Sequence, residues 1–291
     1  MTTDTTTSPA GIIAALDRAA TRIETTHDGV RMVWRRWGKE PAAGPVLVLF
    51  HGGSGSWLHW LRNIAALAQD YTVVVPDLPG YGESDTPPEP VTPDSMAAIL
   101  KPHLDQAIGA ETPLMLAGFS LGAHLASHLA PLLGERLKHI VLVGVPGLND
   151  VPQPPPIAPL RSWRKLPTEA EKQEAHRFNL GALMLHDPAA IDDLALLVQT
   201  RNSLQFRIRT MDIRALSRIP ERLSQSSARL STIWGACDVI AAPYLDERRA
   251  LFERVRPGAD FDVIPGAGHW VQFEAPEPFN RVLKQRLAEH G

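Results

Sequence analysis

The chain has 291 residues, 44% hydrophobic and 21% charged, with a formal net charge of −3 at pH 7. That length buries a substantial core, and the composition is that of a globular protein rather than a disordered or fibrous one. The charge balance leaves no footprint for nucleic acid, no run of about 18 apolar residues exists to cross a membrane, and the single cysteine, Cys237, excludes an internal disulfide and a cysteine-rich metal site.

Residues 1–8 are Thr-rich and read as a frayed start, and an amphipathic helix is expected from Pro9 to Ala20. The same stretch carries an acid rather than Lys or Arg before its short apolar run, so it lacks a secretory n-region, and a cytoplasmic enzyme is expected. "TRIETTHDGVRMVWRRWG" alternates polar and apolar residues around His27-Asp28-Gly29 and predicts a hairpin with an Asp-Gly turn. Next comes "PVLVLFHGG", an apolar run ending in glycines, as in a strand buried on both faces. "YTVVVPDLPGYGESD", "TPLMLAGFS", "LKHIVLVGVPG", "RLSTIWGACD" and "ADFDVIPGAGHW" repeat that design. Helices are predicted between them, over Trp57–Ala68, Pro93–Ile108, Leu121–Leu133, Leu245–Val255 and Pro276–His290. Buried strands alternating with helices predict an α/β fold with a doubly wound, mostly parallel sheet.

One region breaks the alternation. Residues 149–218 contain no strand-like run and begin with the proline-dense "NDVPQPPPIAPL". This stretch is expected to be a helical cap inserted into a core made of residues 21–148 and 219–291, with residues 1–20 as an N-terminal tail and helix.

The chemistry is carried by residues at strand ends. In "LAGFSLGAHLA", Ser120 sits between Gly118 and Gly122 where a strand turns into a helix. Small flanking residues let the two elements crowd together, and the serine at the apex is pushed out, as in a G-x-S-x-G nucleophile elbow. A serine hydroxyl needs a base and a group that orients the base. Asp238 ends "STIWGACD" and His269 ends "VIPGAGH", which gives the chain order Ser, Asp, His. Asp150, after "IVLVGVPG", is a second candidate for the acid. An oxyanion needs donors already aimed at it, and the N–H groups of Gly53, in "FHGGSGSW", and of Leu121 are assigned to that task.

In order and spacing, "HGGSG", "DLPGYGESD", "GFSLG", "GACD" and "GAGHW" resemble the α/β-hydrolase superfamily from about residue 25 to the end. Within it, "GHWVQFEAPEPFN" and "LHDPAAIDDLALLVQTR" are similar to the meta-cleavage-product hydrolases, which cleave a C–C bond in ring-fission dienoates. That resemblance implies that Trp270 borders the substrate and that Arg201 meets a carboxylate. The chain departs from the subfamily where asparagine usually precedes the nucleophile, because Phe119 stands there. Hydrolysis of small, fairly apolar carboxylic esters is therefore the first expectation, with Phe119, Trp270 and Arg201 as substrate-binding candidates. C–C bond hydrolysis is the alternative, and a non-catalytic small-molecule receptor is the reading from another class. Epoxide hydrolases and haloalkane dehalogenases share the fold but need an aspartate at the elbow, which Ser120 is not.

The remaining candidates have plainer readings. His51 is read as bonding backbone so that the glycine loop keeps its shape. His124 and His128 have a spacing that can bind zinc but no glutamate between them, so no metal and no cofactor are expected. Trp57, Trp60 and Trp163 suggest a hydrophobic site or core, and Cys237 a small buried filler. The expected partner is a small-molecule substrate, with no nucleic acid and no membrane, and a homo-oligomer is left open.

Overall fold

The computed structural model describes residues 8–40, 44–208 and 217–288. The Thr-rich start at 1–7, residues 209–216 of the expected cap and the His290 end of the last expected helix lie outside the described residues. Helix α1 (Pro9–Arg18) is capped by Ser8, whose hydroxyl accepts the Gly11 N–H at 3.1 Å. Strands β1 (Thr21–His27) and β2 (Val30–Trp37) then form the hairpin, with His27 paired to Val30. Between them Asp28 and Gly29 adopt φ values of 47° and 77°. Positive φ at both positions is the type I′ turn, whose twist matches that of the flanking strands.

The core strands are β3 (Val46–Phe50), β4 (Thr72–Pro76), β5 (Leu114–Phe119), β6 (Leu137–Val143), β7 (Arg229–Gly235) and β8 (Asp260–Ile264). The eight-stranded sheet runs in the order β1-β2-β4-β3-β5-β6-β7-β8. Strand β2 is antiparallel to β1 and to β4, and the other neighbours are parallel. Residues along β3 alternate between the two faces. Val46, Val48 and Phe50 join Leu116, Leu142 and Trp34 on one side, and Leu47 and Leu49 join Val73, Ala117, Val141 and Ile233 on the other. On the first side lie α3 (Pro93–Ile108), α4 (Leu121–Leu133) and α8 (Leu245–Val255), through Leu100, Leu125, Leu129 and Phe252. On the second side lie α2 (Ile64–Leu67) and α10 (Pro276–Ala288), through Ile64, Phe279 and Leu283. Continuous apolar strands are thus explained by a sheet covered on both faces.

One expected helix is not continuous. Residues 57–68 form a 3-10 turn (Trp57–Trp60) and the single turn α2, because Leu61 and Asn63 bond back three residues, to the carbonyls of Leu58 and Trp60. The Asn63 side chain bonds Gln272 O and Asn280 Oδ1, both at 2.9 Å, so long-range partners fix this segment more tightly than helical periodicity does.

Between β6 and β7 the described residues contain no strand. The proline-rich start has no regular secondary structure, and helices α5 (Glu169–Asn179), α6 (Asp193–Leu204) and α7 (Ile219–Ser224) follow, with one π-helical turn at Leu180–Met184. Helix α6 packs on α1 and on the Trp57–Trp60 turn, while α7 packs on α4. No helix among the described residues is long and apolar enough to cross a membrane.

The chain leaves β3 for β4 on one side and returns through α3 to β5 on the other. The carboxyl ends of β3 and β5 are therefore the switch point, where loops diverge and a crevice opens. The loop carrying Gly53 and the turn carrying Ser120 both start there. A stability test follows from the hairpin turn. A Cβ on Gly29 would meet nothing within 4 Å, so Gly29→Ala isolates the backbone cost of positive φ. It should lower unfolding free energy by about 1 kcal/mol in urea denaturation, with an unchanged m-value.

Candidate active site

Strand β5 ends at Phe119 and α4 begins at Leu121, leaving Ser120 between them at φ 51° and ψ −115°. Left-handed backbone is costly for a serine and persists only where the surroundings impose it. Here they do: a Cβ on Gly118 would lie 2.4 Å from Gly122 O, and one on Gly122 would lie 2.5 Å from both Phe50 O and His51 O. The Ser120 N–H donates to Val143 O at 2.8 Å, anchoring the turn to β6, and the residue stays partly accessible.

The acid and base candidates meet behind it. Their loops leave β7 and β8, and the backbone runs so close that a Cβ on Gly235 would lie 2.1 Å from Gly268 O. The Cys237 N–H donates to Ala267 O at 2.9 Å across the same gap. Asp238, fully buried, accepts the Ile240 N–H on Oδ1 at 2.9 Å and the Nδ1–H of His269 on Oδ2 at 2.9 Å. This pairing fixes the tautomer and leaves Nε2 as the basic nitrogen. Asp150, in contrast, is exposed on a turn after β6. Ser120 Oγ makes no hydrogen bond to the His269 ring among the described residues. The two are joined by Phe119, whose ring lies 5.0 Å from the imidazole. Nucleophile–base bonds are often loose without substrate and tighten in the complex.

The glycine loop is held by two buried histidines. The Leu78 N–H donates to His51 Nε2 at 2.9 Å, so the ring proton sits on Nδ1 and is donated to Gly52 O at 2.8 Å. A peptide's C=O and N–H point in opposite directions. Fixing Gly52 C=O against His51 therefore aims the Gly53 N–H the other way. The Gly52 N–H is engaged by His59 Nδ1 at 3.1 Å. Gly53 is exposed, and a Cβ there would lie 3.8 Å from the Leu121 side chain, so the two assigned oxyanion donors are neighbours. The Leu121 N–H opens α4, where an amide has no intrahelical acceptor and the helix dipole favours negative charge.

Burial pushes the His51 imidazole down to about 4, and it holds His59 well below the ordinary histidine range, with His51 and His269 adding to the effect. Both rings are thus neutral, as their acceptor roles require. Beneath them Asp77 accepts the N–H groups of Trp57 and Glu83, each at 3.0 Å, and faces Arg35 at 3.4 Å. Burial raises the Asp77 carboxyl, and Arg35 is foremost among the groups that oppose the rise. His59, Asp77 and Arg35 were not singled out from sequence. The only signal was Asp77 heading "DLPGYGESD", and the loop it braces is 20 residues away in the chain.

The substrate-binding candidates are placed unevenly. Phe119 and Trp270 are fully buried. Phe119 packs on His59 and His269, while the Trp270 indole donates to His59 O at 3.0 Å and stacks on Phe273. Both side chains shape the site from behind rather than line open space. Arg201 is half-buried on α6 and shares a helix face with Leu194 and Val198, both buried. Trp57 and Trp60 are core residues, and Trp163 packs on His176. Cys237 is half-buried and borders a cavity of about 60 Å³ with His269, Gly268 and Met184. His124 and His128 stack at 5.1 Å, and His128 Nδ1 pairs with Asp94 at 2.7 Å. No group of three metal-ligating side chains gathers among the described residues.

Comparison with known proteins agrees with this architecture. A family model described as "Alpha/beta hydrolase family" matches residues 47–282. The dihydrolipoyllysine-residue acetyltransferase component of an acetoin cleaving system from Cupriavidus necator is 30% identical over 284 residues, covering 96% of this chain and 72% of that one. The 2-hydroxy-6-oxononadienedioate/2-hydroxy-6-oxononatrienedioate hydrolase of Paraburkholderia phymatum is 31% identical over 261 residues, covering 85% of this chain and 88% of that one. An esterase from Rhodococcus sp. ECU1013 superposes with a TM-score of 0.72 at 20% identity, covering 94% of this chain and 100% of that one. The chain belongs to the alpha/beta hydrolase family and is a hydrolase of that fold.

The two neutral histidines give a pH test. Between about pH 4 and 6.5 the unfolded chain protonates an imidazole that the folded state keeps neutral at His51. The unfolded state then binds more protons, so stability is full above pH 6.5 and declines as pH falls towards 4. The slope approaches about 1.4 kcal/mol per pH unit for each such histidine. Denaturation midpoints over this window should fall more steeply for wild type than for His51→Asn, and parallel curves would remove His51 as a source.

Proposed function

We propose that the chain hydrolyses small, fairly apolar carboxylic esters through an acyl-enzyme, with Ser120 as nucleophile, His269 as base and Asp238 as the orienting acid. The observation that carries this reading is the buried Asp238–His269 hydrogen bond beside a strained, partly accessible serine. In the first half-reaction Ser120 Oγ attacks the ester carbonyl carbon as His269 Nε2 takes its proton. The C=O pair moves onto oxygen, and that oxyanion is met by the N–H groups of Gly53 and Leu121. Collapse expels the alkoxide, which receives the proton from His269 Nε2–H. Water, deprotonated by the same nitrogen, then attacks the acyl-Ser120 ester, and the carboxylic acid leaves as the serine is reprotonated by His269 Nε2–H, the acid then losing its proton to solvent. Asp238 remains ionised and stabilises the imidazolium in both halves.

Within this proposal the segment from residue 149 to 218 is a cap. Its support is the tethering of α6 and its C-terminal extension to the glycine loop and to the loop after β4. Ser56 Oγ donates to Asn202 Oδ1 at 2.6 Å, and the Arg207 N–H donates to Gly80 O at 3.0 Å. The single cysteine suits a reducing compartment, and a cytoplasmic site of action is part of the same reading.

A second reading, hydrolysis of a C–C bond in a ring-fission dienoate, is favoured by one observation. Arg201 lies on the face of α6 that bears buried residues, where a guanidinium can meet a substrate carboxylate.

Ser120→Ala and His269→Ala should lower kcat/KM for an activated ester by about 10⁴-fold or more, because nucleophile and base act as a unit. Asp238→Asn should lose nearly as much. A fluorophosphonate adduct on any residue but Ser120, in mass spectrometry of the digested protein, would overturn the assignment. Arg201→Ala divides the two readings. Loss of about 2 kcal/mol, some thirtyfold in kcat/KM, confined to carboxylate-bearing substrates favours the dienoate. A small, uniform effect favours the simple ester.

A further inference from the structure

We propose that Glu274 is a positioning residue for the His269 imidazole, tying the His269 loop to residues 184–187 of the segment between β6 and β7. The inference rests on the reading of His269 as the base. Glu274 ends α9 (Val271–Glu274), a single helical turn that follows His269 closely. Its two carboxylate oxygens accept from different parts of the chain. Oε2 takes the Gly268 N–H at 2.6 Å, and Oε1 takes the Asp187 N–H at 2.6 Å. Gly268 is the residue immediately before the base.

Two further contacts join the same segments. The Trp270 N–H donates to Met184 O at 2.7 Å. A Cβ on Gly268 would lie 2.8 Å from His186 N and 3.1 Å from Met184 O, so the backbones themselves are in contact there. Residues 268–270 are thus laid against residues 184–187, and Glu274 spans both.

The mechanical consequence concerns Nε2. Asp238 holds the imidazole at Nδ1, but a ring held at one nitrogen still swings with its backbone. Where Nε2 points relative to Ser120 is then set by the position of residues 268–270. A carboxylate suits this task because each oxygen serves one donor and both bonds are charge-assisted. Glutamine has the same shape but one accepting oxygen, so one N–H loses its partner. Alanine releases both. The cap segment and the base are in this way held by one side chain, and a displacement of residues 184–187 is transmitted to the catalytic nitrogen.

The test compares Glu274→Gln, Glu274→Ala, Asp187→Ala and Asp187→Pro with wild type and His269→Ala on an activated ester, with chemical denaturation of each. The NMR resonance of the His269 Nδ1 proton is recorded in parallel. Asp187→Pro deletes the N–H that reaches Glu274. Asp187→Ala retains it and controls for the Asp187 side chain, whose Oδ1 accepts the Ala189 N–H at 2.9 Å. The expected result for Glu274→Ala is a loss of about ten- to hundredfold in kcat with KM within about twofold, since misplacing a catalytic group by about 1 Å costs this much. Glu274→Gln should lose less, Asp187→Pro should lose more than Asp187→Ala, and the Nδ1 resonance should shift or broaden in both Glu274 variants. Unchanged kcat and resonance in folded Glu274→Ala would overturn the proposal, as would a loss carried wholly by KM. If Glu274→Ala fails to fold, the isosteric glutamine variant decides on the same criteria. If His269→Ala remains active, the proposed function fails instead, and the resonance comparison, which needs no turnover, still decides whether Glu274 holds the ring.

Discussion

The site depends on a steric constraint between backbones. Helix α4 starts so close to the end of β3 that the Phe50 and His51 carbonyls occupy the space a Cβ on Gly122 would need. That contact has two consequences. It forces the chain at Ser120 into left-handed backbone, which raises the hydroxyl out of the turn. It also brings the first amide of α4 beside the glycine loop that continues from β3. The proposed nucleophile and oxyanion donors are therefore assembled by one close approach, and nothing larger than glycine at positions 118 and 122 is compatible with it.

Around this contact, polar groups are buried in an order that fixes their protonation. Leu78 N–H decides the His51 tautomer, His51 decides the direction of the Gly52 carbonyl, and that peptide aims the Gly53 N–H. Each bond replaces hydration that burial removed, which is why an unpaired member would be costly. Asp77 and Arg35 close the base of the arrangement, and the Arg35 guanidinium also lies 5.0 Å from the Trp57 ring. The chain holds its glycine loop by tautomer and charge, with side chains from β2, the loop after β4 and the Trp57–Trp60 turn converging from sequence-distant positions.

The segment between β6 and β7 is fastened to the crevice at three separate loops. Asn202 meets the glycine loop, Arg207 meets the loop after β4, and residues 184–187 meet the loop of His269. Phe206 stacks on Tyr81, and Tyr81 in turn lies edge-on to His51 at 5.3 Å. Any shift of this segment is therefore felt by the glycine loop, by the His269 loop, or by both. A loosely attached segment would leave the three loops independent.

The sequence by itself determined the elements whose signal is local. Continuous apolar runs gave strands buried on both faces, Asp28-Gly29 gave the turn, and small residues around Ser120, Asp238 and His269 marked three strand ends in a telling order. The strand order, with β3 between β4 and β5, came from tertiary structure, and so did the pairing of Asp238 rather than Asp150 with His269. The roles of His59, Asp77, Arg35 and Glu274 were equally invisible, because each is defined by a partner far away along the chain. The helix expected over 57–68 failed for the same reason: Asn63 bonds residues 272 and 280, and those bonds outweigh local periodicity. Position suggested Phe119 and Trp270 as substrate-binding residues, but packing shows that both are fully enclosed. Local backbone chemistry is written into neighbouring residues. A side chain's role depends on what the fold brings against it.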